Sequence, residues 1–379
     1  HSEYMDVIVD IERITFVVSG LDSFEAKEGI EGNIEEIIKN IKLDKLEIKG
    51  FAGNLPEEEV VGLKFGLLAV SKYADGAFQN VKIASSETQL EDDMPLIKFD
   101  HFSVDKFGDV SNLIRDDEPK ILEDLARAFG IGSVQVKNLY VQMPHREMQA
   151  NEPPISIGEW TLDIKREDSK IKGFKINVGN VDVPKATVIE MADSQTREII
   201  NEIIKSENIV ASGNVGLSLN EESEFTTDVG LLFQKLVGLK LKAKFGDAPD
   251  EINFAKIANE DTEYGEALKN LTYISSSITV QEDGLMKAAL QTLEKETGMT
   301  EEIAIEEFKN NLSNFPMESL NKDKKGKIIE AVSKFIRNKS EISVTVATAE
   351  DAKFTMEELV GMAMVDDLEG KLEVEITAK

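Results

Sequence analysis

Histidine is the side chain most often used for acid–base chemistry and metal binding near neutral pH, and it is scarce in this chain. Only His1, His101 and His145 occur among 379 residues, and the HExxH spacing that places two histidines on one helix face is absent. The chain has no cysteine, which excludes disulfides, thiolate ligands and cysteine nucleophiles. We therefore predict no metal site built on histidine or cysteine.

Two short segments partly match nucleotide-binding or metal-binding loops, and both fail on position. Gly130-Ile131-Gly132 starts like a dinucleotide loop but follows a predicted helix, whereas phosphate binding needs amides at a helix start. Residues 321–332 start like a calcium loop, yet Lys325 and Val332 stand where oxygen ligands belong. We interpret them as a helix stop and a helix-capping turn, and we expect no cofactor.

Paired carboxylates are the one catalytic arrangement that this composition leaves open. A glycoside hydrolase needs two carboxyl groups about 5–10 Å apart, a spacing set by the fold and not by the sequence. With 72 acidic residues and a single Trp, no pair can be chosen and a sugar-stacking site is poorly supported. A carboxylate-dependent hydrolase is our third reading, and we expect the chain not to be an enzyme.

The charge balance limits the partners of the chain. It carries 43 Lys and Arg against 72 Asp and Glu, a formal net charge of −29. Such a field repels phosphate backbones, so nucleic acid is excluded as an expected partner. No run of about 18 apolar residues is present, so we expect no transmembrane segment.

Alternation of apolar and polar residues dominates the chain and predicts strands bounded by Gly, Asn and Asp turns. The predicted strands are Ile11–Val18, Ile41–Ile48, Leu63–Val70, Ile97–Val104, Val134–Val141, Trp160–Ile164, Ile171–Val178, Val215–Leu219, Val237–Phe245, Tyr273–Val280, Ile342–Val346 and Leu372–Ile376. Since few helical patterns separate them, we predict an α+β, β-dominated fold. We expect a long curved, mainly antiparallel sheet with a few helices packed on one face.

Apolar stripes at helical spacing predict five helices, most of them toward the C-terminus. They fall at 119–130, 199–204, 286–293, 300–312 and 328–336. Polar, Pro-containing breaks at 148–154 and 246–251 indicate linkers. They predict a β-rich repeat domain (1–150), a β-rich middle domain (151–250) and an α+β domain (251–379).

An internal repeat is the most informative pattern in the chain. Residues 41–51 align with residues 97–107, with apolar positions matching at Leu43/Phe99, Leu46/Phe102, Ile48/Val104 and Phe51/Phe107. Residues 134–141 follow the same pattern. Because the apolar residues change parity within each segment, one face stays apolar only if the strand bulges or twists near 44–45, 100–101 and 137–138. Convergence of ordinary strands on a common pattern is the alternative.

This recurring strand pattern resembles the AsmA-like and YdgA-like envelope proteins of Gram-negative bacteria. Residues 268–285, the segment Gly298-Met-Thr-Glu301, and the closing helix and strands at 328–336, 342–346 and 372–376 are also similar to such proteins. The resemblance implies a periplasmic location, with a signal or anchor removed from the given sequence, and a curved sheet that carries lipid.

We therefore expect a periplasmic binding scaffold that holds or transfers a lipid-like ligand on a curved sheet. Candidate lining residues are Phe51, Phe99, Phe102 and Phe107, whose alternative role is a closed hydrophobic core. The second reading is a structural or interaction protein of the envelope that meets a protein partner and binds no small ligand.

Overall fold

The fold is described from a computed structural model of the chain. The described residues are 8–19, 42–54, 63–74, 77–88, 95–107, 132–142, 154–167, 170–191, 193–251, 262–314, 322–338, 340–349, 352–355, 357–358 and 371–379. His1, His145, the predicted helix at 119–130 and most of the predicted linker at 148–154 lie outside them.

The described part of the chain is β-dominated, as predicted, and its strands pair antiparallel in every register that follows. The strands are β1 (Ile8–Ser19), β2 (Lys42–Asn54), β3 (Leu63–Ala74), β4 (Ala77–Thr88), β5 (Leu96–Phe107), β6 (Ser133–Gln142), β7 (Ile155–Glu167), β8 (Lys170–Pro184), β9 (Asn208–Leu219), β10 (Phe225–Phe233), β11 (Val237–Gly246), β12 (Thr272–Glu282), β13 (Glu341–Thr348), β14 (Phe354–Thr355) and β15 (Leu372–Ala378).

Every described helix follows residue 184, which confirms the predicted shift toward helix in the C-terminal part. The helices are α1 (Lys185–Met191), α2 (Ser194–Ile203), α3 (Thr262–Lys269), α4 (Leu285–Thr297), α5 (Glu301–Asn314) and α6 (Lys322–Asn338). Helix α4 ends at Gly298, whose φ of 70° lies in the left-handed region that favours glycine.

The chain divides into two compact units. The first comprises 1–171, 176–182 and 253–259, and the second comprises 172–175, 183–252 and 260–379. In the first unit, strands β1 to β7 pair in chain order, each with the next, as a meander of hairpins requires. The three-domain division at 150 and 250 stays a prediction.

The second unit builds its sheet in the order β9, β10, β11, β12, β13, β15. Strict alternation explains its two faces, since the odd residues of β10 and β11 are mostly apolar while Lys240, Lys242 and Lys244 point to the other side. Helices α4, α5 and α6 pack on the apolar face, where Ile305, Phe335 and Ile336 form a buried cluster with partners that include Val280, Ile342, Ala378, Met286 and Leu290.

A carboxylate fixes the start of α4. Glu282 is 9% exposed and accepts hydrogen bonds from the backbone N–H of Gly284 at 2.8 Å and of Met286 at 3.0 Å. The side chain therefore satisfies amides that a helix start leaves without intrahelical partners. This role was not predicted from the sequence.

All twelve predicted strands are present, and the predicted helices near 199–204, 286–293, 300–312 and 328–336 are confirmed. Strands β4, β10 and β14 and helices α1 and α3 were missed. The calcium-like segment was interpreted as a helix-capping turn, but residues 322–332 are already helical and form the first part of α6, so that interpretation is wrong.

Candidate functional site

The apolar face of the first unit is built from transverse rows, in which each residue pairs directly with the next across neighbouring strands. Directly paired residues of antiparallel strands point to the same side of a sheet, so each row lies on one face. Row A contains Leu46, Val70, Val81, Val104, Val134 and Leu162. Row B contains Ile14, Ile48, Leu68, Ile83, Phe102, Val136 and Trp160. Row C contains Ile11, Phe51, Phe65, Ser86 and Phe99.

Rows B and C are three residues apart on each strand that carries both, a spacing that normally places side chains on opposite faces. The rings of Phe99 and Phe102 nevertheless lie with centroids 6.2 Å apart. In row C, Phe51 and Phe65 stack with a centroid distance of 4.6 Å and an interplanar angle of 4°. The parity of the strands therefore changes between the two rows, and both rows belong to the same face.

The change of parity occurs along one line that crosses the sheet. The pairing is interrupted on every strand of this line, although the register is the same on both of its sides from β2 to β7. We call it the interruption line, and it consists of Glu12, Gly50, Gly66, Ser85, Asp100, Asn138 and Gly158.

Left-handed backbone conformations coincide with the interruption on alternate strands. Gly50, Ser85 and Asn138, on alternate strands β2, β4 and β6, have φ of 61°, 55° and 51°. One left-handed residue turns the following side chain to the other face without adding a residue to the strand. Asn180 of β8 continues the series with φ 53°, and its Cβ lies 3.1 Å from the position that a Cβ on Gly158 would take.

A second line of skipped positions lies six residues from the first on strands β2 to β5. It consists of Asp44, Lys72, Gln79 and Lys106. On the side that faces β1, the register shifts between Val17 and Val18, which pair with Lys45 and Leu43. The predicted bulge near 44–45 is thus confirmed. The predicted parity change near 100–101 and 137–138 is also confirmed. At 137–138 it coincides with the left-handed backbone of Asn138, and the register is unchanged across it.

Three of the four predicted lining residues fall on the same apolar face. Phe51 and Phe99 lie in row C, and Phe102 lies beside them in row B. The backbone of Phe107 ends β5 and pairs with Phe78, while its side chain lies outside the described set. Phe51, Phe99 and Phe102 are all half-buried, so their role as ligand-lining residues stays a prediction.

The sequence analysis missed the residues that connect these phenylalanines. Phe65 links Phe51 to Ser86 in row C, and Trp160 of row B is the only tryptophan of the chain. The signal was present, because β3 and β4 carry the same apolar spacing as the repeat, at positions 65, 68, 70 and 73 and at positions 78, 81, 83 and 86. At position 86 a serine takes the apolar place, which hid the pattern in β4.

The opposite face of the first unit is polar. Asn138 donates a hydrogen bond to the Asp100 carboxylate at 2.8 Å, and Gln135 donates to Glu159 at 2.7 Å. His101 is half-buried and pairs with Lys137 on this side. This face offers hydrogen-bonding groups that are already matched to one another. Within the described ranges, no group of three His, Asp or Glu side chains is arranged to hold a metal ion.

Two carboxylates form ion pairs with lysine that lower their pKa. Lys244 lies 2.7 Å from Glu224, and together with Asn220 it lowers the pKa of that carboxyl by hydrogen bonding to its charged form. Lys45 lowers the pKa of Glu47 in the same way across 2.7 Å. Both carboxyls therefore stay ionised, and neither is tuned to act as an acid near neutral pH.

The second unit has a smaller apolar surface on the helix-bearing face of its sheet. Val215, Val229, Leu241 and Ile278 pair in one row across β9 to β12, and Leu231 pairs with Leu239 in the next row. Their side chains are 37–47% exposed, which is high for large aliphatic groups in a row. We call these six residues the aliphatic patch.

The helices of the described part of the chain do not have the length and apolarity needed to cross a membrane.

Comparison with known protein families matches residues 231–379 to a family model described as "Uncharacterized protein". Except for residues 253–259, this region lies in the second unit, and it includes β11 to β15 and helices α3 to α6, together with part of the aliphatic patch. No curated protein and no solved structure matches the chain.

Proposed function

We propose that the chain is a periplasmic scaffold of the cell envelope that holds or transfers a lipid-like ligand on the apolar face of the first unit. The observation that supports the proposal most directly is the continuity of that face. Rows A and B are apolar in every residue, and the interruption line places row C, which is apolar except for Ser86, on the same face. Irregular backbone of this kind is concentrated at functional sites, and a contiguous apolar surface commonly marks a binding site.

The dimensions and chemistry of the face fit a hydrocarbon ligand. Neighbouring strands are about 4.8 Å apart, so row B, which crosses seven strands, is about 29 Å long. Among the described side chains of rows A to C, only Val70, Val104 and Ser86 are buried, while the aromatic rings of rows B and C are half-buried. A hydrocarbon chain laid along the rows would remove further apolar surface from water.

The net charge of the chain limits which head group the ligand can carry. A net charge of −29 disfavours an anionic head group by long-range repulsion. We therefore expect a ligand with a neutral or zwitterionic head. The envelope location rests on the sequence resemblance alone and remains part of the proposal.

Mass spectrometry of the full chain purified from an envelope fraction tests the proposal, with detection of lipids that survive gel filtration. We expect a lipid in roughly stoichiometric amount with the wild type and little with Phe102→Glu, which places a charge in row B. Ser103→Glu is the matched control, because the neighbouring residue points to the opposite face and pairs with Lys82 and Gln135.

Equal lipid content in the two variants would contradict the proposal. A stable protein partner without lipid would favour the alternative, a structural or interaction protein of the envelope. Hydrolysis of a glycoside substrate, lost with a pair of carboxylate variants, would favour the carboxylate-dependent hydrolase.

A further inference from the structure

The aliphatic patch of the second unit faces the same side of the sheet as helices α4, α5 and α6, but the helices cover only one end of that face. Their buried cluster packs against Val280, Ile342 and Ala378, which form one row across β12, β13 and β15. Leu239 pairs with Val280 and is still 42% exposed, so the coverage ends within that row. The next row, from Val215 to Ile278, is exposed along its length.

The area of the patch limits what can occupy it. Burial of a whole Val, Leu or Ile side chain is worth about 1.5–3 kcal/mol at about 25 cal/mol per Å², which corresponds to roughly 60–120 Å² each. Six side chains at 37–47% exposure therefore present roughly 150–300 Å² to solvent. A stable protein interface buries about 800 Å² on each partner. The patch is too small to carry a dimer or a stable protein complex by itself.

The same area matches a short hydrocarbon chain. One methylene group corresponds to about 32 Å² on the same scale, so the exposed area equals about five to nine methylenes. The row from Val215 to Ile278 crosses four strands and is about 14 Å long at a strand spacing of about 4.8 Å. An extended chain lying along this row would contact the patch over its whole length.

We infer that the aliphatic patch is a binding site for one medium-length alkyl chain of a neutral amphiphile. The site lies wholly in the second unit and is independent of the ligand face proposed for the first unit. The net charge of −29 disfavours an anionic head group at this site.

Methyl NMR on the full chain tests the inference, with n-alkyl maltosides from hexyl to dodecyl as probes, each kept below its critical micelle concentration. We expect the methyl signals of Leu231, Leu239 and Leu241 to shift on titration. Affinity should rise about fourfold per added methylene and level off near nine carbons, where the patch is filled. The methyl signals of Leu68 and Val136 report the first unit separately, so failure of one site does not hide the other.

Leu232 supplies a matched control on the same strand. It is 37% exposed, against 41% for Leu231, and it points to the opposite face, where it pairs with Gly238. We expect Leu231→Gln to weaken dodecyl maltoside binding at least tenfold and Leu232→Gln to change it less than twofold. Since both side chains are exposed, both variants should keep the wild-type methyl spectrum elsewhere.

Three results would overturn the inference. The first is the absence of patch shifts up to the critical micelle concentration. The second is equal weakening by the two substitutions. The third is a change of the patch methyl signals with protein concentration in the absence of alkyl maltoside, accompanied by a doubled mass in sedimentation. This result would show that a second copy of the chain covers the patch.

Discussion

Asn138, the left-handed residue of β6, gives the most direct test of how the apolar face is built. A left-handed backbone reverses the usual preference of strands for valine over asparagine. Valine is among the best strand formers and is favoured over asparagine by up to about 1 kcal/mol at a regular strand position. Asn138, however, has φ 51°, where a β-branched residue is strongly disfavoured. The structure therefore predicts that Asn138→Val destabilises the first unit.

The magnitude follows from two contributions. Placing a β-branched residue in the left-handed region costs about 1–2 kcal/mol. Loss of the 2.8 Å hydrogen bond from Asn138 to the Asp100 carboxylate costs about 1 kcal/mol more. We expect Asn138→Val to lower the free energy of unfolding by about 2–3 kcal/mol. Asn138→Gly should stay within about 1 kcal/mol of wild type, because glycine adopts positive φ freely but loses the hydrogen bond.

Urea unfolding followed by fluorescence of Trp160 measures this effect in the first unit. Trp160 is the only tryptophan and pairs with Val136, two residues from the substitution. Lys137→Val is the matched control, since Lys137 is exposed, pairs regularly with His101 and Glu159, and should tolerate valine within about 0.5 kcal/mol. The reasoning is refuted if Asn138→Val is as stable as wild type or as Asn138→Gly.

Three further predictions concern the second unit. Glu282→Ala should destabilise it by about 2 kcal/mol in thermal unfolding, because the backbone N–H groups of Gly284 and Met286 lose their acceptor. Glu282→Gln, which keeps one acceptor oxygen, should cost about half as much. Gly173→Ala should lower the free energy of unfolding by about 1–3 kcal/mol, because the new Cβ would lie 2.7 Å from the carbonyl oxygen of Leu217. Wild-type stability of this variant in urea would contradict the prediction. The pKa of Glu224 is lower in the folded state than its unfolded value near 4.5, so its ionised form stabilises the fold above that pH, and this stability is lost as the pH falls through the folded pKa. Glu224→Gln cannot titrate, so the variant should lose less stability than wild type between pH 5 and pH 3.

The strands and the fold class could be predicted because alternation is a local property of the sequence. Strand β4 escaped prediction because Ser86 interrupts its apolar pattern and Ser85 starts a change of parity. Strand β10 escaped because its alternation is irregular: Thr227 occupies an apolar position, and Leu231, Leu232 and Phe233 are consecutive apolar residues.

The positions of the parity change were readable from the sequence, but the line that they form was not. The spacing of Phe99 and Phe102 shows that a strand must change its parity between them. Only the register shows that Gly50, Ser85 and Asn138 stand on one transverse line, because alignment across strands depends on turn lengths. The aliphatic patch was equally hidden, since alternation shows which face is apolar but not how far helices cover it.

Quenching of Trp160 by brominated lipid is the most direct measurement of the central claim that the apolar face of the first unit holds a lipid-like ligand. Trp160 ends row B, so a phosphatidylcholine with brominated acyl chains, bound along that row, places bromine in contact with the indole ring. We expect saturable quenching by the brominated lipid at submicellar concentration, reversed by the unbrominated lipid and lost in Phe102→Glu but not in Ser103→Glu. Fluorescence that is unchanged in the presence of the brominated lipid would contradict the proposal.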